Sequence, residues 1–336
     1  MSVTLLPVVF VLALMLAIYF TPVARAAALR FGILDRADGH LKQQTTPVPY
    51  LGGLAVFLAY LISLGVVVAF NPLLLGLLLA GTLTLLVGLV DDFGVLTPFA
   101  KLIGQGVAIF VLLRSGAVIE LTKVPEPLRW PLAALWLFAV CNAFNLLDIM
   151  DGLATGVGAL AAFTLGVVAI TTGEMPEAVA SFALAGALCG FLVFNFHPAR
   201  IYLGDAGSLA IGITIGALAI AIKWSEVSPA GFLGPLFVLA VPLADTAYVS
   251  VLRARAGKPF WHGSPDHFPL RLRRVLGGNV RATVICVFGI ALLGGALGAF
   301  AAISPAWQAT LWALGAYALG LVALLLWLAR FPMGVE

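Results

Sequence analysis

Long apolar runs separated by short polar stretches make up most of this chain. The runs lie near 3–24, 50–70, 72–90, 102–118, 130–146, 155–172, 177–196, 207–222, 231–251, 281–302 and 307–329. A run of roughly 20 apolar residues crosses a bilayer as a helix. None of them alternates apolar and polar positions as a barrel strand would, and a backbone in lipid must satisfy its own hydrogen bonds. The pattern predicts an all-α polytopic membrane protein of about 11 transmembrane helices, folded as a single domain over residues 1–336. Asn71-Pro72 leaves only a tight turn between the second and third runs.

Composition agrees. Hydrophobic residues make up 62% of the chain, charged residues 10%, and mean hydropathy is +1.12; a soluble domain carries about 25% charged residues. The net charge of +3 says little, but its distribution does. If the runs are threaded alternately through a bilayer, fourteen of the 18 Lys and Arg fall on one side, leaving Arg114, Lys123, Arg129 and Lys223 on the other. Positive charge stays inside, so the N-terminus is expected outside and the C-terminus in the cytoplasm. The first run ends in Ala24-Arg25-Ala26, which resembles a signal-peptide cleavage site, but positive charge follows the apolar stretch instead of preceding it. An uncleaved helix is expected. Cys141, Cys189 and Cys286 show no CxxC spacing and read as small core residues.

The acids are sorted too. Asp35, Asp38, Asp91, Asp92, Asp148, Asp151, Asp205 and Asp266 fall on the cytoplasmic side with all four histidines. Acids hardly influence insertion, whereas a chemical site on that face would collect them. Active-site loops are expected near 25–49, 91–101, 142–154, 197–206 and 252–281.

Each cluster has a functional and a plainer reading. Asp91-Asp92 ends the third run, where two carboxylates face each other and the negative end of a helix dipole. A divalent cation or Lys101 should compensate; the plainer reading is a solvated loop start. Asn142, Asn145, Asp148 and Asp151 recur every third position, followed by Gly152 and Leu153, and form a drifting helical stripe whose oxygens suit Mg²⁺. A polar helix–helix seam is the alternative. In Asn195–Leu209, Gly204 and Gly207 permit close backbone approach, and Asp205 or Ser208 could cap the next helix. Tyr202 could stack on a base or anchor the interface, and His197 reads as a loop residue. The basic stretch from Arg253 to Arg281 could grip phosphate or only fix topology.

Taken together, these motifs resemble the polyprenyl-phosphate N-acetylhexosaminyl-1-phosphate transferase family, glycosyltransferase family 4. The resemblance runs in ordered blocks: Thr46-Pro47 with Gly52-Gly53, Asp91-Asp92 with Lys101, Asn142 to Leu153, Gly204 to Leu209, and Pro242 to Asp245 leading into a basic, histidine-containing loop. It implies Mg²⁺-dependent transfer (Mn²⁺ as a substitute) of an N-acetylhexosamine 1-phosphate, N-acetylglucosamine 1-phosphate above all, from a UDP-N-acetylhexosamine to a polyprenyl phosphate, with release of UMP. By matching position, Asn145 and Asp205 would ligate the metal. Asp91 would deprotonate or orient the lipid phosphate, Asp92 would support it, and Asp148 would shape the network. Lys101 would neutralise the lipid phosphate, Tyr202 would stack on uracil, and Asp151 with Gly152 would contact its edge. Asn142, His262, His267 and Arg271 are further implied substrate contacts. The partners implied are these two substrates and membrane lipid, with no nucleic acid and a homodimer left open.

One departure stands out. Relatives carry a His-x-His-His motif in the last large loop, but here Ser264–Arg271 keeps only His267, with His262 upstream. The rival enzyme type, phospho-N-acetylmuramoyl-pentapeptide transferase, shows three adjacent histidines there. A secondary transporter is the rival of another class; it would need ionisable groups near the midplane and repeats, and Asp245 alone approaches that position.

Overall fold

The computed structural model describes residues 3–35, 47–67, 71–119, 125–257 and 264–331. Its thirteen α-helices are α1 (Leu5–Phe31), α2 (Gly52–Val67), α3 (Pro72–Asp92), α4 (Pro98–Arg114), α5 (Glu126–Leu147), α6 (Leu153–Thr172), α7 (Met175–Asn195), α8 (Gly204–Ala221), α9 (Gly234–Val238), α10 (Ala240–Arg255), α11 (Phe268–Val275), α12 (Val280–Ile303) and α13 (Trp307–Leu328). The 3₁₀ turn Pro229–Leu233 leads into α9. The strands β1 (Leu34–Asp35) and β2 (Val48–Pro49) pair antiparallel. The protein is an all-α, multi-pass membrane protein.

Local chemistry sets several helix starts. Asn71 accepts the Leu74 N–H at 2.8 Å, with Pro72 opening α3. Thr97 does the same for Ala100 before Pro98, and Asn279 for Ala282. These caps satisfy amides that the first turn leaves unpaired. α1 runs unbroken through Ala24-Arg25-Ala26.

Every apolar run of the sequence falls on a helical segment, yet not every segment is a full crossing. Among the described residues, eight helices are long and apolar enough by length and composition, or nine if α9 and α10, with the 3₁₀ turn before them, count as one span bent by 68°. α2 has 16 residues, about 24 Å at the helical rise, against a hydrocarbon core of about 30 Å. α4 has 17 and carries Lys101 and Gln105.

At the centre stands α8. Every residue from Ala206 to Ala219 is buried, as expected of a helix that is apolar all round. α3, α5, α2 and α6 pack around it, α1 and α6 flank α7, and α12 lies against α6 and α9. α13 is peripheral, with only Thr310, Leu314 and Leu328 buried. The N-terminus of α8 is where the candidate site residues Asp91, Asp92, Lys101, Asn145 and Asp205 gather.

Candidate active site

Four separate stretches of chain meet at Lys101. Its ammonium lies 2.7 Å from Asp91 Oδ2 at the end of α3, 2.7 Å from Asp205 Oδ2 in the first turn of α8, and 3.2 Å from Asn145 Oδ1 near the end of α5. An ammonium has three protons to donate, and all three are taken. The Asn145 amide is fixed in turn: its Nδ2 donates to Asp205 Oδ1 at 3.0 Å and to Ser208 Oγ at 2.9 Å.

Asp92 has a different task. Its two oxygens accept the backbone N–H groups of Asp205 (2.8 Å) and Ala206 (3.1 Å). It therefore caps α8 from α3, replacing the cap that the sequence suggests for Asp205 or Ser208. The residue before α8, Leu203, supplies no side-chain cap. Gly204 holds the left-handed backbone (φ 76°) that brings this turn against Asp92; a Cβ there would lie 2.7 Å from Asp92 Oδ2.

The Gly52-Gly53 motif completes the same turn. Gly52 N–H donates to the Tyr202 carbonyl at 3.0 Å and Gly53 N–H to that of Leu203 at 2.9 Å, while Tyr202 N–H donates to the Pro49 carbonyl at 2.8 Å. A Cβ on Gly53 would lie 2.2 Å from the Gly207 nitrogen. Two motifs about 150 residues apart in the chain are thus one backbone contact.

The expected polar stripe is not a single helical face. α5 stops at Leu147, so Asp148 caps its C-terminus and Asp151 lies in the turn before Gly152 (φ 76°) and α6. Each member finds a different partner. Asn142 exchanges amide hydrogen bonds with the buried Gln105 of α4 (2.8 and 3.3 Å) and also donates to the Phe138 carbonyl, the helix–helix seam considered as the alternative. Asn145 joins Lys101 and Asp205. Asp148 accepts no side-chain hydrogen bond among the described residues. Asp151 Oδ2 lies 2.7 Å from His197 Nδ1 and accepts the Ala199 N–H at 3.0 Å.

Burial, followed by the carboxylates of Asp205, Asp92 and Asp151, pushes the Asp148 carboxyl up to about 8. Burial also pushes the Tyr202 phenol up to about 12, helped by Asp151, Asp35 and Asp148. Asp91 and Asp205 share Lys101, and Asp148 lies within electrostatic reach of Asp205, Asp92 and Asp151, so five carboxylates gather with one lysine.

That surplus bears on a metal. Among the described residues, no three His, Cys, Asp or Glu side chains gather as a closed metal cage. Mg²⁺ does not require one, since it commonly takes one or two carboxylates together with substrate phosphates. The oxygens of Asp205, Asn145 and Asp148 are the donor type it prefers, and no cation is among the groups that act on the Asp148 carboxyl. The residues fit such an ion.

The described part of the last large loop, from Ser264 onward, is arranged differently from expectation. His267 is buried, with Nδ1 2.6 Å from Asp245 Oδ2, and Asp245 Oδ1 accepts the Phe268 N–H at 2.9 Å. Arg271, also buried, donates to the carbonyls of Leu328, Ala329 and Phe331 at the end of α13 and to Asp266. Both side chains pin α11 to its neighbours and neither is brought to Lys101. His262 lies outside the described residues. Asp245 is a buried structural anchor, with both oxygens taken, not a free midplane acid.

Sequence reading missed Gln105, Ser208 as the second partner of Asn145, and the His197–Asp151 pair. Gln105 carried a signal: it follows Lys101 by four positions, on the same helix face.

With this geometry in view, the comparisons are specific. The family model of glycosyl transferase family 4 matches residues 74–223, from α3 through α8. A Mycolicibacterium smegmatis protein named decaprenyl-phosphate N-acetylglucosaminephosphotransferase is 30% identical over 84% of this chain and 80% of its own length. A Moorella thermoacetica phospho-N-acetylmuramoyl-pentapeptide-transferase is 36% identical over 77% of this chain and 86% of its own. A Bacillus subtilis protein named probable undecaprenyl-phosphate N-acetylglucosaminyl 1-phosphate transferase is 29% identical over 85% and 82%. The chain belongs to glycosyl transferase family 4, among its polyprenyl-phosphate sugar-1-phosphate transferases. It is a membrane phosphotransferase.

Proposed function

We propose that this enzyme transfers N-acetylglucosamine 1-phosphate, or a closely related N-acetylhexosamine 1-phosphate, from its UDP derivative to undecaprenyl phosphate at the cytoplasmic face of the plasma membrane. UMP is released, and the product opens the membrane stage of a cell-envelope glycan. The observation that carries the reading is the convergence of Asp91, Asn145 and Asp205 on Lys101 at the N-terminus of α8.

The reaction breaks the phosphoanhydride bond of the donor and forms a new one to the lipid phosphate. An acceptor phosphate oxygen attacks the sugar-linked phosphorus, and UMP departs with the bridging oxygen. Asp91 orients the acceptor phosphate and takes its proton if it arrives protonated. Lys101 offsets the acceptor's charge, exchanging a carboxylate partner for a phosphate oxygen. Asp205 and Asn145 would hold Mg²⁺, with Asp148 beside them; when bound, the ion neutralises the donor diphosphate and stabilises the leaving UMP. Asp92 holds the α8 turn that presents Asp205. Tyr202, a phenol at neutral pH, offers its ring to the uracil, with Asp151 at the edge. Such chemistry rests chiefly on positioning and charge neutralisation.

All eleven helical segments serve as crossings in this reading, α2 and α4 being short and the α9–α10 segment bent. The skew of Lys and Arg supports an external N-terminus and a cytoplasmic C-terminus. A second reading, transfer of phospho-N-acetylmuramoyl-pentapeptide, draws on the Moorella relative. Against it stand the missing adjacent histidines and the burial of His267 on Asp245. Purified protein given undecaprenyl phosphate and a panel of UDP-sugars separates the two. UMP release with UDP-N-acetylglucosamine supports the first; release only with UDP-N-acetylmuramoyl-pentapeptide supports the second.

A further inference from the structure

Three arginines converge on one short loop beside the active site. Arg25, near the end of α1, donates from Nε to the Arg200 carbonyl at 3.1 Å. Arg281, at the start of α12, donates from Nε to the His197 carbonyl at 3.0 Å. Arg200 is itself part of that loop, and all three residues are exposed. The loop is held from within as well: Arg200 N–H donates to the Phe194 carbonyl at 2.8 Å, Asn195 Nδ2 to the Ile201 carbonyl at 3.0 Å, and Ala199 N–H to Asp151.

Arg25 and Arg281 each spend only Nε on the loop. No carboxylate pairs with either of them, or with Arg200, among the described residues. Asp151, the acid that holds this loop, is already engaged by His197 and Ala199. The terminal guanidinium nitrogens are therefore left to a ligand, and they form the planar fork that suits phosphate oxygens. Positive-inside sorting requires basic residues on this side of the membrane but not their convergence from α1, α12 and the α7–α8 connection onto four residues.

We propose that Arg25, Arg200 and Arg281 form a binding site for the phosphate of an anionic phospholipid headgroup, separate from the Lys101 centre. A headgroup is favoured over the soluble donor because two of the three arginines stand on long apolar helices near their ends, at the level where headgroups lie. The loop runs directly into Tyr202, Gly204 and Asp205, so an occupied site braces the turn that carries the chemistry. Coupling of this kind is reciprocal: headgroup binding and donor binding strengthen one another.

The test uses full-length protein in nanodiscs of phosphatidylcholine, with or without phosphatidylglycerol. Native mass spectrometry should find phosphatidylglycerol retained on the wild type. Retention should weaken about five-fold for each of Arg25→Gln, Arg200→Gln and Arg281→Gln, while Arg→Lys at the same positions, which keeps the charge but not the fork, recovers only part of it. Phosphatidylglycerol should also raise the wild-type transfer rate, and the glutamine variants should lose that response while keeping wild-type donor KM in phosphatidylcholine alone. Unchanged lipid retention in the glutamine variants overturns the proposal. So does a donor KM that rises in neutral nanodiscs, since the arginines would then be holding the donor's phosphate. The retention measurement requires no turnover, so failure of the transferase reading would not be mistaken for failure of this one.

Discussion

Asp92, the last residue of α3, caps α8 by accepting the N–H groups of Asp205 and Ala206 at 2.8 and 3.1 Å. The same helix turn therefore carries the Asp205 carboxylate and depends on a second carboxylate for its shape. Asp92→Ala leaves two amides unpaired and should cost about 1–2 kcal/mol, the size of a lost helix cap. Asp92→Asn, which keeps one acceptor, should cost less. Thermal unfolding in detergent checks the order, and equal stability of all three proteins would remove the capping role.

Lys101 donates to three oxygens from three helices. Lys101→Gln leaves Asp91 and Asp205 facing each other uncompensated, and turnover should fall on the order of 100-fold, as for loss of one oriented electrostatic group. Lys101→Arg should not restore it, because a planar fork cannot replace a compact ammonium among three convergent acceptors. Steady-state assays of both variants decide, and near-normal turnover in Lys101→Arg would contradict the three-way geometry.

The Asp148 carboxyl, pushed up to about 8 by burial and then by Asp205, Asp92 and Asp151, makes metal-free stability depend on pH. Its unfolded value is about 3.9, so between roughly pH 4 and 8 the folded state holds a proton that the unfolded state has released. Stability must then fall as pH rises through that window. Asp148→Asn should flatten the fall, and saturating Mg²⁺ should flatten it in the wild type. Melting temperatures from pH 5 to 9 in EDTA test this; identical profiles for wild type and Asp148→Asn would refute it.

Gly53 and Gly65 sit on the same helix, one in backbone contact with Gly207 and one with nothing within 4 Å of a built Cβ. Gly53→Ala should separate α2 from α8 and lower both melting temperature and activity. Gly65→Ala should leave both essentially unchanged. A tolerated Gly53→Ala would show that the two helices can part without consequence for the site.

The sequence made some of this legible and hid the rest for physical reasons. Helices such as α3, α5 and α8 are readable because lipid demands long apolar runs. The shared face of Asp91, Asn145 and Asp205 is readable because alternate threading places run ends together. Which oxygen meets which proton is not. Asp92 looks equivalent to Asp91 in the chain, yet one caps α8 and the other holds Lys101, a distinction set by a helical step of 100°. Asn142 looks like a member of a ligand row and bonds Gln105 across α4 and α5, while the row itself breaks after Leu147, where α5 ends. His267 and Arg271 look like loop groups for a substrate but are buried, since their partners Asp245 and the end of α13 are distant in sequence. The 68° bend at α9–α10 lies inside one continuous apolar run, where hydropathy gives no sign of it.

The central claim is that Asp205, Asn145 and their neighbours assemble a cation-dependent sugar-phosphate transferase. The direct measurement is UMP release by purified wild type and Asp205→Asn given UDP-N-acetylglucosamine and undecaprenyl phosphate, in EDTA and after adding Mg²⁺. The account predicts turnover by the wild type only with Mg²⁺, and none by Asp205→Asn despite a native-like melting curve. Turnover in EDTA, or by Asp205→Asn at near wild-type rate, would contradict it.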